Sequence, residues 1–447
     1  MTKEEPGKCS YLNCGREIFW PQGYTPQPEE KPCCIFHSPL IEQKKEAFRS
    51  AWQEFLDQHK NEKGEYQDLN CVGFIFPESV HFMDATFSGD ARFSDATFSG
   101  WAGFVCATFS GAAGFEGATF SGDASFDFAT FSGEAKFAGA KFHGDVSFNL
   151  TRWQGGADFS DAKLKEASLD FIGGNYKDKD EQEHDIRLFK GDKQIGFDHV
   201  NFREAKRVRF ERVDLSRASF LRSQIENVDF IDVWWEEEGK GHKIYDERKW
   251  RERRVKGETE EKGEGDVGRD WIRAWIEAVR EEFRLLRRKD KDELKEIENL
   301  YHQLILNFDH RRDYETGGEF YVRENEVRRI RKGWRGYCFE GIYWLTSEYG
   351  QRWLQPLLLG LAVVILSSLI FYQASPIASA LVVSRLDLFT KIMWPAFCLN
   401  VASLFGIARV DNLGLSHTSL LWLSLQRILV FYLISMFLLA VRRRFRR

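Results

Sequence analysis

The residues best suited to chemistry lie in the first forty positions, where four cysteines and a histidine are grouped. Four residues separate Cys9 from Cys14, and two separate Cys34 from His37. Thiolates and a neutral imidazole are the usual ligands of small tetrahedral zinc sites. A segment this short and rich in proline cannot build its own core, so metal binding and folding would be coupled. The sequence therefore predicts a structural zinc site formed by Cys9, Cys14, Cys34 and His37.

Two alternatives to this site stay open at the level of sequence. Cys33 stands beside Cys34 and competes with it as a ligand, and the spacing of Cys9 and Cys14 is slightly wide. The cysteines could also be reduced side chains that bind no metal. Eight cysteines in 447 residues are too few for a disulfide scaffold. The start of the chain also lacks the basic and apolar pattern of a signal peptide, so we expect a reducing, cytosolic environment for the N-terminal part.

Catalytic motifs are missing from the sequence. It contains no glycine-rich phosphate loop, no G-x-S-x-G and no H-E-x-x-H, and its ten histidines are scattered. The sequence therefore predicts that the protein is not an enzyme.

The strongest pattern is an internal repeat of eleven residues. From Ala85 the chain reads ATFSGDARFSD, ATFSGWAGFVC, ATFSGAAGFEG, ATFSGDASFDF, ATFSGEAKFAG and AKFHGDVSFNL, and phenylalanine recurs at alternating spacings of five and six. A period of 3.6 or of 2 does not explain these spacings. They require a chain that turns a corner about every five residues and always points the same positions inward, as in a β-solenoid. The Ser-Gly pairs after each ATF are the predicted turn residues.

The repeat predicts which side chains stack. Alternating steps of five and six give 22 residues per four-sided coil, so Phe87, Phe109, Phe131 and Trp153 should form one interior column. Phe98, Phe120 and Phe142 should form the opposite column. A second block, from Val208 to Trp235, keeps a pure five-residue register, which predicts that Phe210 stacks on Phe230.

These residues resemble the pentapeptide-repeat proteins, in which Phe or Leu is the central residue and Ala or Val stands two before it. The resemblance implies a right-handed quadrilateral β-helix. More specifically, the chain resembles membrane-anchored bacterial members of that family, in which a Cys-rich lead ending in a CIFH-like string precedes the solenoid. Here that string is Cys34–His37.

The remaining segments are assigned by composition and periodicity. A helix with Phe48, Trp52 and Phe55 on one face should cap the first coil. The predicted organisation is a Cys/His-rich segment 1–40, a capping helix 41–66, a β-helix 71–235 with a charged loop 173–196, a charged linker 236–267, a helical coupling region 268–335 and a membrane domain 336–447.

The membrane domain is predicted to contain two spanning helices. Residues 354–372 and 420–441 have the required length and apolar character, and basic residues flank both at 328–332 and 442–447. The positive-inside rule then places both termini in the cytoplasm and predicts a multi-pass protein of the inner membrane. The apolar stretch 386–408 between the spans is predicted to be re-entrant or interfacial.

Two functions fit these features. The preferred hypothesis is a membrane-tethered, non-catalytic scaffold or sensor that uses a cytosolic solenoid to bind a protein partner. The alternative is an ion-channel-like oligomer with a degenerate two-helix pore regulated by the solenoid, although a TVGYG-like filter is absent. The sequence is compatible with a homo-oligomer. No nucleic-acid partner and no DNA mimicry are expected, because residues 82–170 carry only 12 acidic against 6 basic residues, spread over many faces.

Overall fold

The computed structural model describes residues 8–11, 14–23, 25–26, 30–177, 183–189, 192–238, 241–256, 291–347, 349–350, 352, 354–374 and 417–445. The chain forms two compact units, residues 1–269 with 292–323 and residues 270–291 with 324–447. The helices are α1 (Ile41–Gln58), α2 (Tyr245–Lys256), α3 (Lys291–His310), α4 (Tyr314–Lys332), α5 (Trp334–Ser347), α6 (Leu354–Ala374) and α7 (His417–Phe445), with one 3-10 turn at Phe202–Glu204.

The first unit is a four-sided parallel β-solenoid of about seven turns, which confirms the predicted fold class. The coils contribute short strands to four sheets, which we call faces one to four in chain order; faces two and four have strands only in the earlier coils. Face one contains Leu69–Asn70, Ala91–Arg92, Ala113–Gly114, Ala135–Lys136, Ala157–Asp158, Ile195–Gly196 and Ala218–Ser219. Face two contains Ile75–Phe76, Thr97–Phe98, Thr119–Phe120, Lys141–Phe142 and Lys163–Leu164. Face three contains Val80–His81, Ala102–Gly103, Ala124–Ser125, Val146–Ser147, Ser168–Ile172, Arg207–Glu211 and Asp229–Ile231, and face four contains Thr86–Phe87, Thr108–Phe109, Thr130–Phe131 and Arg152–Trp153.

The predicted aromatic columns are confirmed. Phe87, Phe109 and Phe131 stack with ring centroids 4.7 and 4.8 Å apart, and Trp153 continues the column at 4.6 Å. Phe98, Phe120 and Phe142 form the opposite column at 4.8 and 5.2 Å. Two further columns, from Phe82 and from Phe93, fill the other two faces, and rings of neighbouring columns meet edge to face. Aromatic pairs favour both geometries, so four phenylalanines per coil fill the interior.

The shorter coil of the second block also behaves as predicted. Phe210 stacks on Phe230 at 5.7 Å, and the two are partners in the parallel register of face three. The step between them is twenty residues instead of 22, because every side of this coil uses five residues.

The corner chemistry differs from the prediction. The glycines of the Ser-Gly pairs do not supply left-handed turns; they let the coils approach. A Cβ on Gly111, for example, would lie 2.7 Å from the carbonyl oxygen of Gly89 one coil below. The left-handed residues recur every eleven positions from Asp84, φ 54°, to Asp161, φ 58°. There the Ala85 N–H donates to the Phe82 carbonyl, which closes a tight turn with positive φ at its third residue.

The predicted loop 173–196 is shorter than expected. Gly174–Lys177 and Glu183–Ile186 pair as an antiparallel hairpin, and the chain then returns to the solenoid. Leu188 bridges to Val213 and is buried, and Phe189 packs on Trp153. Hydrophobic residues inside the charged segment therefore complete the coil around the hairpin.

Helix α1 and the segment before it close the first coil. Phe36 stacks on Phe74 at 4.6 Å, and Trp52 meets the edge of Phe76 at 5.1 Å. Phe48 contacts Phe76 as well. The helix ends at Gln58, before the predicted limit of 66, and Tyr66 already pairs with the bottom of the Phe87 column. The cap continues the aromatic interior instead of leaving the end of the sheet open.

The charged segment 236–267, for which the sequence predicts a solvated linker or a loose helix, is folded where the structure describes it. Glu236–Glu238 and Gly241–Lys243 form a hairpin, and α2 follows with Trp250 buried. Several charged side chains of this segment pair with one another, as Arg251 does with Glu247.

Helix α3 caps the last coil with polar side chains that the sequence analysis missed. The Asn307 amide donates to the carbonyls of Ile225, Glu226 and Val228 at 2.8–3.1 Å. Gln303 accepts from the Ile225 N–H at 2.8 Å and donates to the Ser223 carbonyl. Backbone groups at a solenoid end have no further coil to pair with, so these amides replace it. Phe308 of the same helix stacks over Phe230.

The described part of the second unit is helical. Helices α6 and α7 pack through Val364 and Val430, with Val363 and Ile434 beside them, and Gly360 faces Leu433. Within α7, Ser424–Arg442 is long and apolar enough to cross a bilayer, whereas the apolar stretch described in α6, Leu354–Ser367, is shorter. Neither the first part of the predicted helical coupling region, 268–290, nor the stretch 386–408 falls within the described residues.

Candidate metal centre

The structure brings the four predicted ligands together in one cluster. The Sγ atoms of Cys9, Cys14 and Cys34 and a ring nitrogen of His37 all lie within 4.8 Å of one another. The Cys14 and Cys34 sulfurs are 3.6 Å apart, and His37 Nδ1 lies 3.6 Å from Cys9 Sγ and 3.2 Å from Cys34 Sγ. With Zn–S near 2.3 Å and Zn–N near 2.0–2.1 Å, a tetrahedral ion separates its ligand atoms by about 3.6–3.8 Å. The donor set and the spacing therefore fit a tetrahedral zinc ion.

Local backbone hydrogen bonds hold the two halves of the cluster. The Cys9 N–H donates to the Arg16 carbonyl at 2.8 Å, while Lys8 and Glu17 form an antiparallel bridge, so the chain folds back between Cys9 and Cys14. The His37 N–H donates to the Cys34 carbonyl at 3.1 Å. This turn explains the spacing of two residues, because it places the thiol and the imidazole on one side of the chain.

His37 is oriented by groups outside the cluster. Its Nε2 lies 3.0 Å from the Val72 carbonyl oxygen, a natural acceptor for an Nε2–H. That tautomer leaves the lone pair of Nδ1 directed at the three sulfurs. The Tyr11 ring stacks on the imidazole at 4.0 Å. A hydrogen bond from the second nitrogen of a ligating histidine to a carbonyl is the usual arrangement at zinc sites, and here the carbonyl belongs to the first coil.

Cys33 lies outside the cluster. Its Sγ is 3.7 Å from the Ser10 hydroxyl, and the Phe19 N–H donates to its carbonyl. The geometry therefore favours Cys34 over Cys33 as a ligand, a choice that sequence spacing alone left open.

The electrostatics of the cluster disfavour thiolates that have no cation beside them. Burial, with a smaller contribution from the neighbouring Cys14 and Cys9 sulfurs, raises the pKa of Cys34 to about 12. Burial also lowers the pKa of His37, which keeps the ring neutral. A divalent ion would reverse the penalty on the thiolates, since ligation requires deprotonated cysteine and neutral histidine. Burial lowers the pKa of the fully buried Lys44 to about 7, against the opposing effect of the Cys34 thiol.

The family comparison identifies the solenoid. Residues 72–119, 104–149 and 126–171 match the family model described as pentapeptide repeats (9 copies). These residues are therefore pentapeptide repeats, and a solenoid of this kind is typical of protein interaction. The structure continues the coils beyond the matched residues, to Asp229–Ile231. No curated protein and no solved structure matches the chain.

Proposed function

We propose that the protein is a membrane-tethered, non-catalytic scaffold or sensor whose solenoid binds a protein partner on the cytosolic side of the inner membrane. The observation that carries the proposal is the presence in one chain of a fully capped solenoid and of a helix, Ser424–Arg442, with the length and composition of a membrane span. The solenoid offers four flat faces and a closed interior, which suits recognition of another protein.

The outer surface of the helix pair supports lipid contact. Large apolar side chains are exposed along both helices, including Leu358 in α6 and Ile428 in α7, at 62% and 68%. Soluble proteins rarely leave such a patch uncovered. We infer that α6 and α7 cross the bilayer as a hairpin. The basic groups at 328–332 and 442–447 would then hold both termini in the cytoplasm.

Alkaline extraction of membranes tests the tether. The full chain should stay in the membrane pellet at high pH, whereas a chain ending at residue 335 should move to the supernatant. Removing only residues 354–441 is the matched control, since it keeps the basic residues 442–447 and so preserves the positive charge. Recovery of the full chain in the supernatant would contradict the tether.

We further propose that the Cys/His cluster binds one zinc ion with a structural role. The ion would fix residues 8–37 against the first coil, because His37 joins the cluster to the Val72 carbonyl. Metal analysis of the purified full chain should give about one zinc per chain, lost in Cys34→Ser and retained in the matched Cys33→Ser variant. Loss in Cys33→Ser with retention in Cys34→Ser would move the third ligand by one residue, and no zinc in the unaltered chain would reject the site.

The ion-channel alternative depends on residues 386–408, which lie outside the described residues. Reconstitution into planar bilayers distinguishes it from the scaffold. An ion-selective conductance would replace the scaffold proposal with the channel, and would require the chain to assemble as an oligomer.

A further inference from the structure

Face two carries a group of basic side chains that the proposed function does not yet use. Lys141 and Lys163 are directly opposed in the parallel register of neighbouring coils. His143 and Lys165 follow two positions later, one residue beyond the ends of these strands. Lys141 and Lys163 project from the face, and His143 and Lys165 flank them at its edge. We call Lys141, His143, Lys163 and Lys165 the lysine patch; all four are exposed.

The patch differs from several other basic positions of the solenoid in having no acidic partner. Arg92 pairs with Asp90 at 3.0 Å, Lys136 with Glu134 at 3.3 Å and Arg207 with Asp170 at 2.8 Å. Within the part of the chain that the structure describes, no side chain of the lysine patch forms an ion pair or a side-chain hydrogen bond.

The acidic residues nearest in sequence lie beside the flat part of the face. Asp161 and Glu166 occupy corners with φ of 58° and 57°, and the Asp145 carboxylate accepts from the Ser168 N–H at 2.8 Å. The flat part of face two therefore carries Lys141 and Lys163 with no acidic side chain on the same strands.

The repeat shows that these lysines are not required for folding. The position of Lys141 and Lys163 is threonine in the two preceding coils, where Thr97 pairs with Thr119 and Thr119 pairs with Lys141. Threonine is a favourable strand residue, whereas like charges directly opposite each other destabilise a sheet. Lysine at two successive coils is therefore unfavourable for the solenoid itself, which points to a ligand that neutralises the pair.

We propose that the lysine patch is the docking surface for an extended acidic segment of a partner protein. Adjacent coils are about 4.8 Å apart, and positions two residues apart along a strand are separated by about 6.6 Å. An extended segment repeats its side chains on one side at that second distance. Acidic residues at alternate positions would therefore meet Lys163 and Lys165 together, while the Lys141 ammonium adds charge from the neighbouring coil.

Other parts of the solenoid argue against a lipid surface as the occupant. A bilayer would contact the whole face, yet the patch covers only two coils. The preceding coils present neutral Thr97 and Thr119, and the following part of the solenoid carries Glu226, already paired with Arg203. The inference rests on the proposed function and gives the chemistry of the partner that the scaffold would bind.

Fluorescence anisotropy on the full chain in neutral detergent tests the inference. The probe is a labelled peptide of five Glu-Ser repeats, and the comparison peptide has Gln in place of Glu. We expect saturable binding of the acidic peptide only, weakening as salt is added. The double variant Lys141→Thr/Lys163→Thr should bind about tenfold more weakly, because two exposed charge contacts are lost. Lys136→Ser, which removes a lysine already paired with Glu134, should bind as the unaltered chain does.

Stability separates loss of the patch from loss of the fold. The double threonine variant should unfold at the same temperature as the unaltered chain or a higher one. Absence of peptide binding, or equal binding by the double variant, would overturn the inference. So would retention on phosphatidylglycerol vesicles without peptide binding, since that outcome assigns the patch to lipid. Because the assay is run in detergent, its result does not depend on whether the chain is tethered to a membrane.

Discussion

Truncation of one ring in the centre of the solenoid should remove a large part of its stability. Phe115 is fully buried, stacks between Phe93 at 5.1 Å and Phe137 at 4.9 Å, and meets the edges of Phe104 and Phe126 at 5.4 Å. Coils above and below fix these neighbours, so they cannot collapse into the space that Phe115→Ala leaves. The expected loss is about 3–5 kcal/mol, at the upper end because stacked and edge contacts are lost together.

The matched control is another phenylalanine of the same repeat. Phe128 lies at a left-handed corner, φ 58°, and is only half-buried. Phe128→Ala should therefore cost about 1 kcal/mol. Urea unfolding of the full chain in detergent, followed by far-ultraviolet circular dichroism, measures both. With a slope of about 2 kcal/mol per molar, Phe115→Ala should lower the midpoint by about 2 M. Equal effects of the two variants would refute the assignment of interior and corner.

Three other perturbations follow from the structure. Gly133→Ala should destabilise the chain by several kcal/mol more than Gly139→Ala, because a Cβ at Gly133 would clash with a backbone oxygen of the adjacent coil. A Cβ at Gly139 would meet open space, so Gly139→Ala carries only the cost of a positive φ, about 1 kcal/mol. Thermal unfolding compares the stabilities of the two variants. Asn307→Ala should cost about 1–3 kcal/mol and speed hydrogen exchange at the last coil, since the Glu226 carbonyl loses its donor and the carbonyls of Ile225 and Val228 each lose one of two. Burial raises the pKa of Asp246 to about 6 from 3.8, so the folded state holds the proton of this carboxyl more tightly than the unfolded state does. The free energy of unfolding should therefore fall by about 3 kcal/mol as the pH rises from about 4 to about 6. Urea titrations at each pH measure this dependence, and Asp246→Asn should remove it.

The interior of the solenoid could be predicted from the sequence because its constraint is periodic. Every coil repeats the same inward positions, so the arithmetic of five- and six-residue steps gives the stacking of Phe109 on Phe87 without further information. The two ends have no such repeat. Asn307 and Gln303 lie on a helix whose polar residues are ordinarily solvated, and only the position of the last coil shows that they replace a missing strand.

The Cys/His cluster could be predicted in part. Ligand types and the short spacing of Cys34 and His37 indicate tetrahedral chemistry, but adjacent cysteines differ only in the direction of their side chains. Backbone hydrogen bonds decide that direction and place Cys33 against Ser10. The fold of the charged segment after residue 236 does not follow from its composition. Composition alone does not show that Arg251 and Glu247 neutralise each other.

Labelling of Cys106 from one side of the membrane tests whether the solenoid is cytosolic and tethered to the membrane. Cys106 is an exposed cysteine on a corner of the solenoid, so a membrane-impermeant maleimide can report which side of the membrane it occupies. In intact bacterial spheroplasts that express the full chain, the account predicts that Cys106 stays unmodified, and that it is modified after lysis while the chain remains in the membrane fraction. Modification of Cys106 in intact spheroplasts, or recovery of the chain in the soluble fraction, would contradict a cytosolic solenoid tethered to the membrane.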